Sequence, residues 1–181
     1  MKYSKNIVIL DVHASEAGAL SILDDFIEQI KNIPASNIQW TVLVSTPIYD
    51  DSKNIKVKRF PWIKKSWLHR YYFERFLVFP LLDKIKPDLI LNFQNIGINY
   101  PKCPQIVYLH LPFILTDYKF TLLRSEIRLW VYQAVLKKVI LQSLVTVDQV
   151  IVQTKWMKSA LLASTNISAS KVAVLYPDVG D

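Results

Sequence analysis

The sequence predicts an α/β fold, a Rossmann-like, doubly wound and mainly parallel sheet of about seven strands with helices on both faces. Three observations lead there. Short runs rich in Val, Ile and Leu recur seven times along the chain. Most of these runs are apolar throughout rather than alternating, as strands covered on both faces must be. Segments with the helical period of 3.6 residues stand between them.

The first run, residues 6–10, reads as a buried strand, and the clearest helix follows it. There Ala19, Leu20, Leu23, Phe26, Ile27 and Ile30 share one face, while Asp24, Asp25, Glu28 and Gln29 share the other. Residues 39–44 form the next strand. Residues 55–60 alternate apolar and basic side chains, which marks an edge strand. A helical stretch spans 67–86, with Ser66 as N-cap and Pro80 forcing a kink or a restart. Strands at 88–92 and 105–109 come next. A helix over about 122–143, apolar around much of its circumference, is expected to be largely buried. The strand at 149–153 leads into a helix that Thr154 caps and that runs to about Ala163, and a last strand occupies 171–175. With three glycines in the chain, loops such as 33–37 and 99–104 are built from Pro, Asn and Ser.

A chain of 181 residues with 51% hydrophobic side chains is large enough for one self-contained core, and no linker or repeat divides it. Cys103 is the only cysteine, so neither an internal disulfide nor a cysteine-ligated zinc site is available, and a reducing compartment fits. No apolar run approaches the ~20 residues of a membrane-spanning helix, and the N-terminal apolar run is too short for a signal peptide. The expectation is a soluble cytoplasmic protein without metal or bound cofactor. Its net charge of +7 suits an anionic partner.

In open parallel sheets ligands bind just beyond the carboxyl ends of strands, so those positions carry the functional reading. After the first strand, residues 11–20 bring His13, Glu16, Ala17 and Gly18 to a turn that opens a helix, where free amides suit a phosphate. One glycine is far short of a dinucleotide fingerprint, Glu16 would repel an anion, and a plain tight turn is the competing reading. His110 follows the fifth strand directly and stands before Pro112, where it could hydrogen-bond a sugar hydroxyl, act as an acid or base, or serve structure alone. Thr154 occupies a similar turn, with an ordinary N-cap as the plainer account.

Residues 53–75 hold eight Lys or Arg against Glu74 alone, interleaved with aromatic rings. Lys58, Arg59, Trp62, Lys64, Lys65, Trp67 and Arg70 are the candidates there for contact with an anionic membrane surface. Single-stranded nucleic acid would use the same chemistry and is the less favoured partner. A solvated edge strand is the third reading.

Taken in order, the SEAGAL turn at 15–20, YLHLP at 108–112, QVIVQTKWMKSAL at 149–161 and KVAVLYPDVGD at 171–181 resemble the N-terminal domain of GT-B glycosyltransferases of family 4. The resemblance covers essentially the whole chain. Where that family has a Gly-Gly turn, this sequence has Ala17 and Gly18. Thr116 and Asp117 match a Thr-Asp pair of the mannosyltransferases that act on lipid-linked oligosaccharides. The resemblance implies a Rossmann-like glycosyltransferase domain over 1–175 and the start of an interdomain linker at 176–181. The C-terminal donor domain, with its paired glutamates, is then a partner absent from the chain. A fragment, a truncated product and one subunit of a split enzyme all fit, and such a half is expected to be inactive alone.

By the same resemblance the activity is retaining transfer of a hexose from a nucleotide-diphosphate sugar to a glycan or lipid-linked acceptor. His110 would contact the transferred sugar, while His13, Glu16, Ala17, Gly18, Asp117 and Thr154 would line the donor and acceptor sites. The alternative is a non-catalytic module that binds a membrane or another anionic ligand on a Rossmann-like sheet.

Overall fold

The computed structural model describes residues 5–13, 17–33 and 37–176. Strands and α-helices follow one another in the order β1 (Lys5–Asp11), α1 (Ala17–Asn32), β2 (Ile38–Val44), β3 (Ile55–Arg59), α2 (Trp67–Tyr72), α3 (Val78–Ile85), β4 (Leu89–Asn92), β5 (Gln105–Leu109), α4 (Ile127–Val131), α5 (Lys137–Thr146), β6 (Gln149–Val152), α6 (Lys155–Ser164) and β7 (Val172–Val174). The sheet order is β3-β2-β1-β4-β5-β6-β7. Parallel strands with helical crossovers from β1 to β2, β3 to β4, β5 to β6 and β6 to β7 make the doubly wound arrangement the sequence predicts, while β2 runs to β3 and β4 to β5 without a helix. The chain divides into two compact units, one holding β1 to β4 with Tyr100–Pro104, the other holding Asn95–Asn99 and everything from Gln105 onward.

In the first unit β1 pairs parallel with β2, Lys5 opposite Ile38 through Asp11 opposite Val44, and with β4 from Ile7 opposite Leu89. Val8, Ile9, Leu10, Val42, Leu43 and Val44 are fully buried, which explains why these strands read as unbroken apolar runs. Leu23, Ile27 and Ile30, spaced four and three apart on α1, supply the covering face. The Phe26 ring joins them, with centroids 5.9 Å from Trp40 and 5.4 Å from Phe93. At the edge, β3 buries Ile55 and leaves Lys56, Lys58 and Arg59 exposed.

Ser66 caps α2 by accepting the His69 amide, as expected. The break that Pro80 requires falls one turn earlier than the proline. Residues Phe73–Leu77 form a π-helical turn before α3 resumes, and the Val78 amide reaches back to the Phe73 carbonyl. Pro80 has no amide to give to Phe76, and its ring crowds that carbonyl, so the ladder shifts its spacing upstream. Lys86, at φ 54°, then ends α3 in a left-handed cap whose amide returns to Leu82.

In the second unit β5 pairs with β6 and β6 with β7, all parallel. Val107, Leu109, Val150 and Val152 from the strands meet Ile140, Leu141 and Leu144 of α5 and Met157 and Leu161 of α6. Thr154 Oγ1 accepts the Met157 amide at 3.1 Å and starts α6 where the sequence places it. Gly97 packs against α5: a Cβ there would lie 2.6 Å from Val147 Cγ1 and 2.8 Å from the Ser143 carbonyl oxygen.

The helix expected over 122–143 differs in extent and in burial. It comprises α4, a π-helical turn at Tyr132–Leu136, and α5. Val131, Val135 and Val139 stay 38, 56 and 51% exposed. A helix laid on one sheet buries one stripe, and an apolar circumference does not tell how many of its faces find a neighbour. Among the described residues no helix is long and apolar enough to cross a membrane.

Candidate functional site

The sheet order reverses at β1 and β4, the place where open α/β sheets form a ligand crevice. The strands of the first unit end there in buried polar residues: Asp11 closes β1, Ser45 follows β2, Asn92 closes β4, and Gln94 comes two residues later. Asn92 lies beside Leu10 in the register, and its Oδ1 accepts the Gln94 amide at 2.9 Å. Gln94 Oε1 is buried with no hydrogen-bond partner among the described residues. Buried polar groups are normally satisfied, so this acceptor is open to a hydrogen-bond donor from outside the described residues. The sequence reading did not single out these residues. Their signal was a single polar side chain ending each apolar run, as in ILD, LVS and ILN.

His13 comes two residues after β1 and is clamped on both ring nitrogens. Nδ1 is 2.9 Å from Arg70 Nη2, and Nε2 is 2.5 Å from Glu74 Oε1. Arg70 is always a donor, so Nδ1 must be the acceptor and Nε2 must carry the proton that it gives to Glu74. Arg70 Nε also reaches Glu74 at 3.0 Å, and Lys64 Nζ donates to the His13 carbonyl at 2.7 Å. Burial, aided by the Arg70 and Lys64 charges, lowers the His13 pKa to about 4, while the Glu74 contact opposes the shift. Burial pushes the Glu74 carboxyl up. The His13 hydrogen bond and the Arg70 charge outweigh that and leave it below its ordinary value. His13 is therefore neutral near pH 7 and has its nitrogens occupied.

His110 follows β5 in the second unit, and its partner is Asn95, a residue outside the sequence candidates. The His110 backbone amide donates to Asn95 Oδ1 at 2.7 Å, and Asn95 Nδ2 lies 3.1 Å from His110 Nε2. A backbone amide can only donate, which fixes Oδ1 toward it and the amide NH₂ toward the ring. Nε2 must then be the acceptor, and the ring proton sits on Nδ1. Asn95 makes this two-point contact from φ 64°, a left-handed conformation that asparagine tolerates. Burial lowers the His110 pKa to about 4, opposed only by the nearby Tyr108 carbonyl. Nδ1 itself is buried and makes no hydrogen bond of ordinary geometry. An acid or base working near pH 6.5 does not fit such a ring. A neutral hydrogen-bonding or positioning group does.

The remaining candidates divide by location. Glu16 lies outside the described residues, as do 177–181 of the expected linker. Ala17 and Gly18 open α1. Asp117 is exposed, next to Thr116, whose Oγ1 accepts the Tyr118 amide at 3.2 Å. The Thr154 acceptor oxygen is engaged as the α6 cap. Of the basic aromatic set, Lys64 and Arg70 turn to His13, and Arg59 Nη2 donates to the Thr46 carbonyl at 2.9 Å. Trp62 packs on Phe73, while Lys58, Lys65 and Trp67 are exposed.

Among the described residues no group of three His, Cys, Asp or Glu side chains could hold a metal ion. A groove of about 610 Å³ runs along α5, lined by Lys137, Lys138, Leu141, Gln142, Thr165 and Asn166. It lies where the chain enters β6 and β7, the opposite strand ends from those that carry ligands in such sheets.

No protein-family model matches the sequence, and no curated protein matches it. Among solved structures the chain is similar to UDP-GlcNAc 2-epimerase from Methanocaldococcus jannaschii, with 13% identity and a TM-score of 0.56 over 94% of this chain and 45% of that one. It is similar as well to UDP-N-acetylglucosamine 2-epimerase from Rickettsia bellii, with 12% identity and a TM-score of 0.55 over 94% and 44% of the two chains. The likeness is one of fold. The chain thus shares a Rossmann-like α/β architecture with these proteins and spans less than half the length of either.

Proposed function

We propose that the chain is the acceptor-side half of a GT-B enzyme acting on a nucleotide-diphosphate sugar, and that the reaction is retaining transfer of a hexose to a glycan or lipid-linked acceptor. The observation that carries the proposal is a fold likeness to sugar-nucleotide enzymes over 94% of this chain. Transfer is chosen over epimerisation on the strength of His110, Pro112, Thr116 and Asp117, which stand in the order seen in family 4 glycosyltransferases. In such a transfer the bond from the anomeric carbon to the diphosphate oxygen breaks, and a bond to the acceptor oxygen forms. The acceptor proton leaves with the nucleoside diphosphate. The donor is a substrate, and no further cofactor enters the proposal.

His110, neutral and held by Asn95, stands by the family resemblance beside the transferred sugar. It acts by positioning and by its dipole, not by proton transfer. The buried polar strand ends at Asp11, Asn92 and Gln94 supply hydrogen bonds to the ligand. By the family resemblance, His13, Glu16, Ala17, Gly18, Asp117 and Thr154 serve donor and acceptor binding. A C-terminal donor-binding domain, in cis or as a second subunit, completes the enzyme at the cytoplasmic face of a membrane.

The test combines this chain with that second half, UDP- or GDP-hexoses and a lipid-linked acceptor, and follows both new glycosidic product and C2-epimerised donor. Product with the anomeric configuration of the donor retained is expected, falling by on the order of a hundredfold in His110→Ala. Epimerised donor without product would replace the transferase reading. An unchanged rate in His110→Ala would remove the role given to that ring. The exposed helix α2 favours a second reading, a non-catalytic module for an anionic ligand, in which neither product forms.

A further inference from the structure

Helix α2 buries none of its six residues. Trp67 and Leu68 are 71 and 68% exposed, Tyr71 and Tyr72 are 49 and 51% exposed, and Phe76 in the following turn is 55% exposed. The helical run continues through the π-helical turn into α3, and the hydrophobic effect gives its first half no reason to display five large apolar side chains. It is held by its Ser66 cap and from behind by Arg70, which reaches His13 and Glu74. The outward face is therefore presented on a fixed support.

Charge says what covers it. Lys65 stands just before the Ser66 cap and Arg75 lies in the turn after the helix; both are exposed and make no ion pair among the described residues. Glu74, the one acid between residues 53 and 75, is turned inward onto His13 and Arg70 and does not neutralise them. Apolar and amphipathic rings flanked by uncompensated cations match the interfacial zone of an anionic bilayer, where rings enter the headgroup layer and cations meet phosphate. Single-stranded nucleic acid fits less well. Trp67 and Tyr71 already stack on one another, with centroids 5.7 Å apart and planes at 17°, which takes one face of each from any base. Leu68 has no ring to stack.

We propose that α2 and the turn after it, through Trp67, Leu68, Tyr71 and Phe76 with Lys65 and Arg75, form a docking surface for an anionic lipid bilayer. This surface is independent of the catalytic proposal, and its failure would leave that proposal standing.

The experiment is co-sedimentation of the chain with vesicles of phosphatidylcholine, with and without phosphatidylserine, over a series of salt concentrations. Binding to the phosphatidylserine vesicles is expected, weakening as salt rises. The Lys65→Gln, Arg75→Gln pair should bind about 25-fold more weakly, at about fivefold for each cation. Trp67→Ser with Tyr71→Ser should abolish binding while circular dichroism stays unchanged, because both side chains are exposed. The proposal is overturned if the wild-type chain stays in the supernatant with both vesicles, or if the Trp67, Tyr71 variant binds as the wild type does. It is equally overturned if α2 is needed to bind an oligonucleotide, or for self-association in sedimentation velocity, while vesicles go unbound.

Discussion

Asn95 decides which nitrogen of His110 carries the proton, and a single atom exchange tests this. In Asn95→Asp one carboxylate oxygen can still accept the His110 amide, but the other now asks Nε2 for a proton. The ring proton should move from Nδ1 to Nε2, and the added negative charge should raise the pKa above its present value of about 4. Nitrogen-15 NMR of the imidazole reads both; an unchanged tautomer would show that Asn95 does not control it. Aspartate also accepts the left-handed backbone at this position, so the fold is retained. His110 itself was legible in the sequence as a histidine directly after a strand. Its partner was not, because Asn95 is 15 residues away and only the packing of the second unit makes them neighbours. His13 has the same history: Arg70 and Glu74 stand 57 and 61 residues from it. Arg70 reads in sequence as part of a basic surface, whereas its guanidinium is spent on the histidine ring.

At the level of elements, hydrophobic runs and caps placed every strand and the start of α6 to within a residue or two, since buried strands and N-caps have strong local causes. The two π-helical turns had weaker signals. Pro80 foretells that the first helical run must break, but the shift to Phe73–Leu77 depends on which carbonyls lose their partner. The burial expected over about 122–143 fails because the exposed stripe of Val131, Val135 and Val139 is as apolar as the buried one of Ile140, Leu141 and Leu144. The tight contact of Gly97 with α5 makes a prediction of its own. Its amide donates to Ser143 Oγ at 2.9 Å, and an added Cβ would meet the Ser143 carbonyl as well as Val147. A backbone atom cannot swing aside like a side chain tip, so Gly97→Ala should cost about 1–3 kcal/mol. Urea denaturation measures the loss, and a variant as stable as the wild type would mean that α5 can move outward freely.

For the molecule as a whole, the two clamped histidines govern how stability responds to acid. Each is a half-buried neutral ring with a pKa of about 4, against 6.5 for an exposed histidine. Protonation of His13 would aim an N–H at Arg70, and protonation of His110 would aim one at the Asn95 NH₂. Between about pH 6.5 and about 4 the unfolded chain therefore binds more protons than the folded one, and stability must fall as pH falls. Above that window the contribution is complete, and below it nothing more is lost from these rings. Each ring accounts for on the order of 3 kcal/mol across the window. Glu74 adds its own loss as pH falls through the ordinary carboxylate value of 4.5 and below, because its folded carboxyl is held beneath that value. Urea unfolding at a series of pH values should show a steep decline for the wild type through this range. It should show a shallower one when His13 and His110 are both replaced by glutamine, which keeps polar atoms but cannot take up a proton there. If the two curves ran parallel, the rings would have to be accessible to protons in the folded state, and the neutral tautomers assigned to both histidines would be wrong.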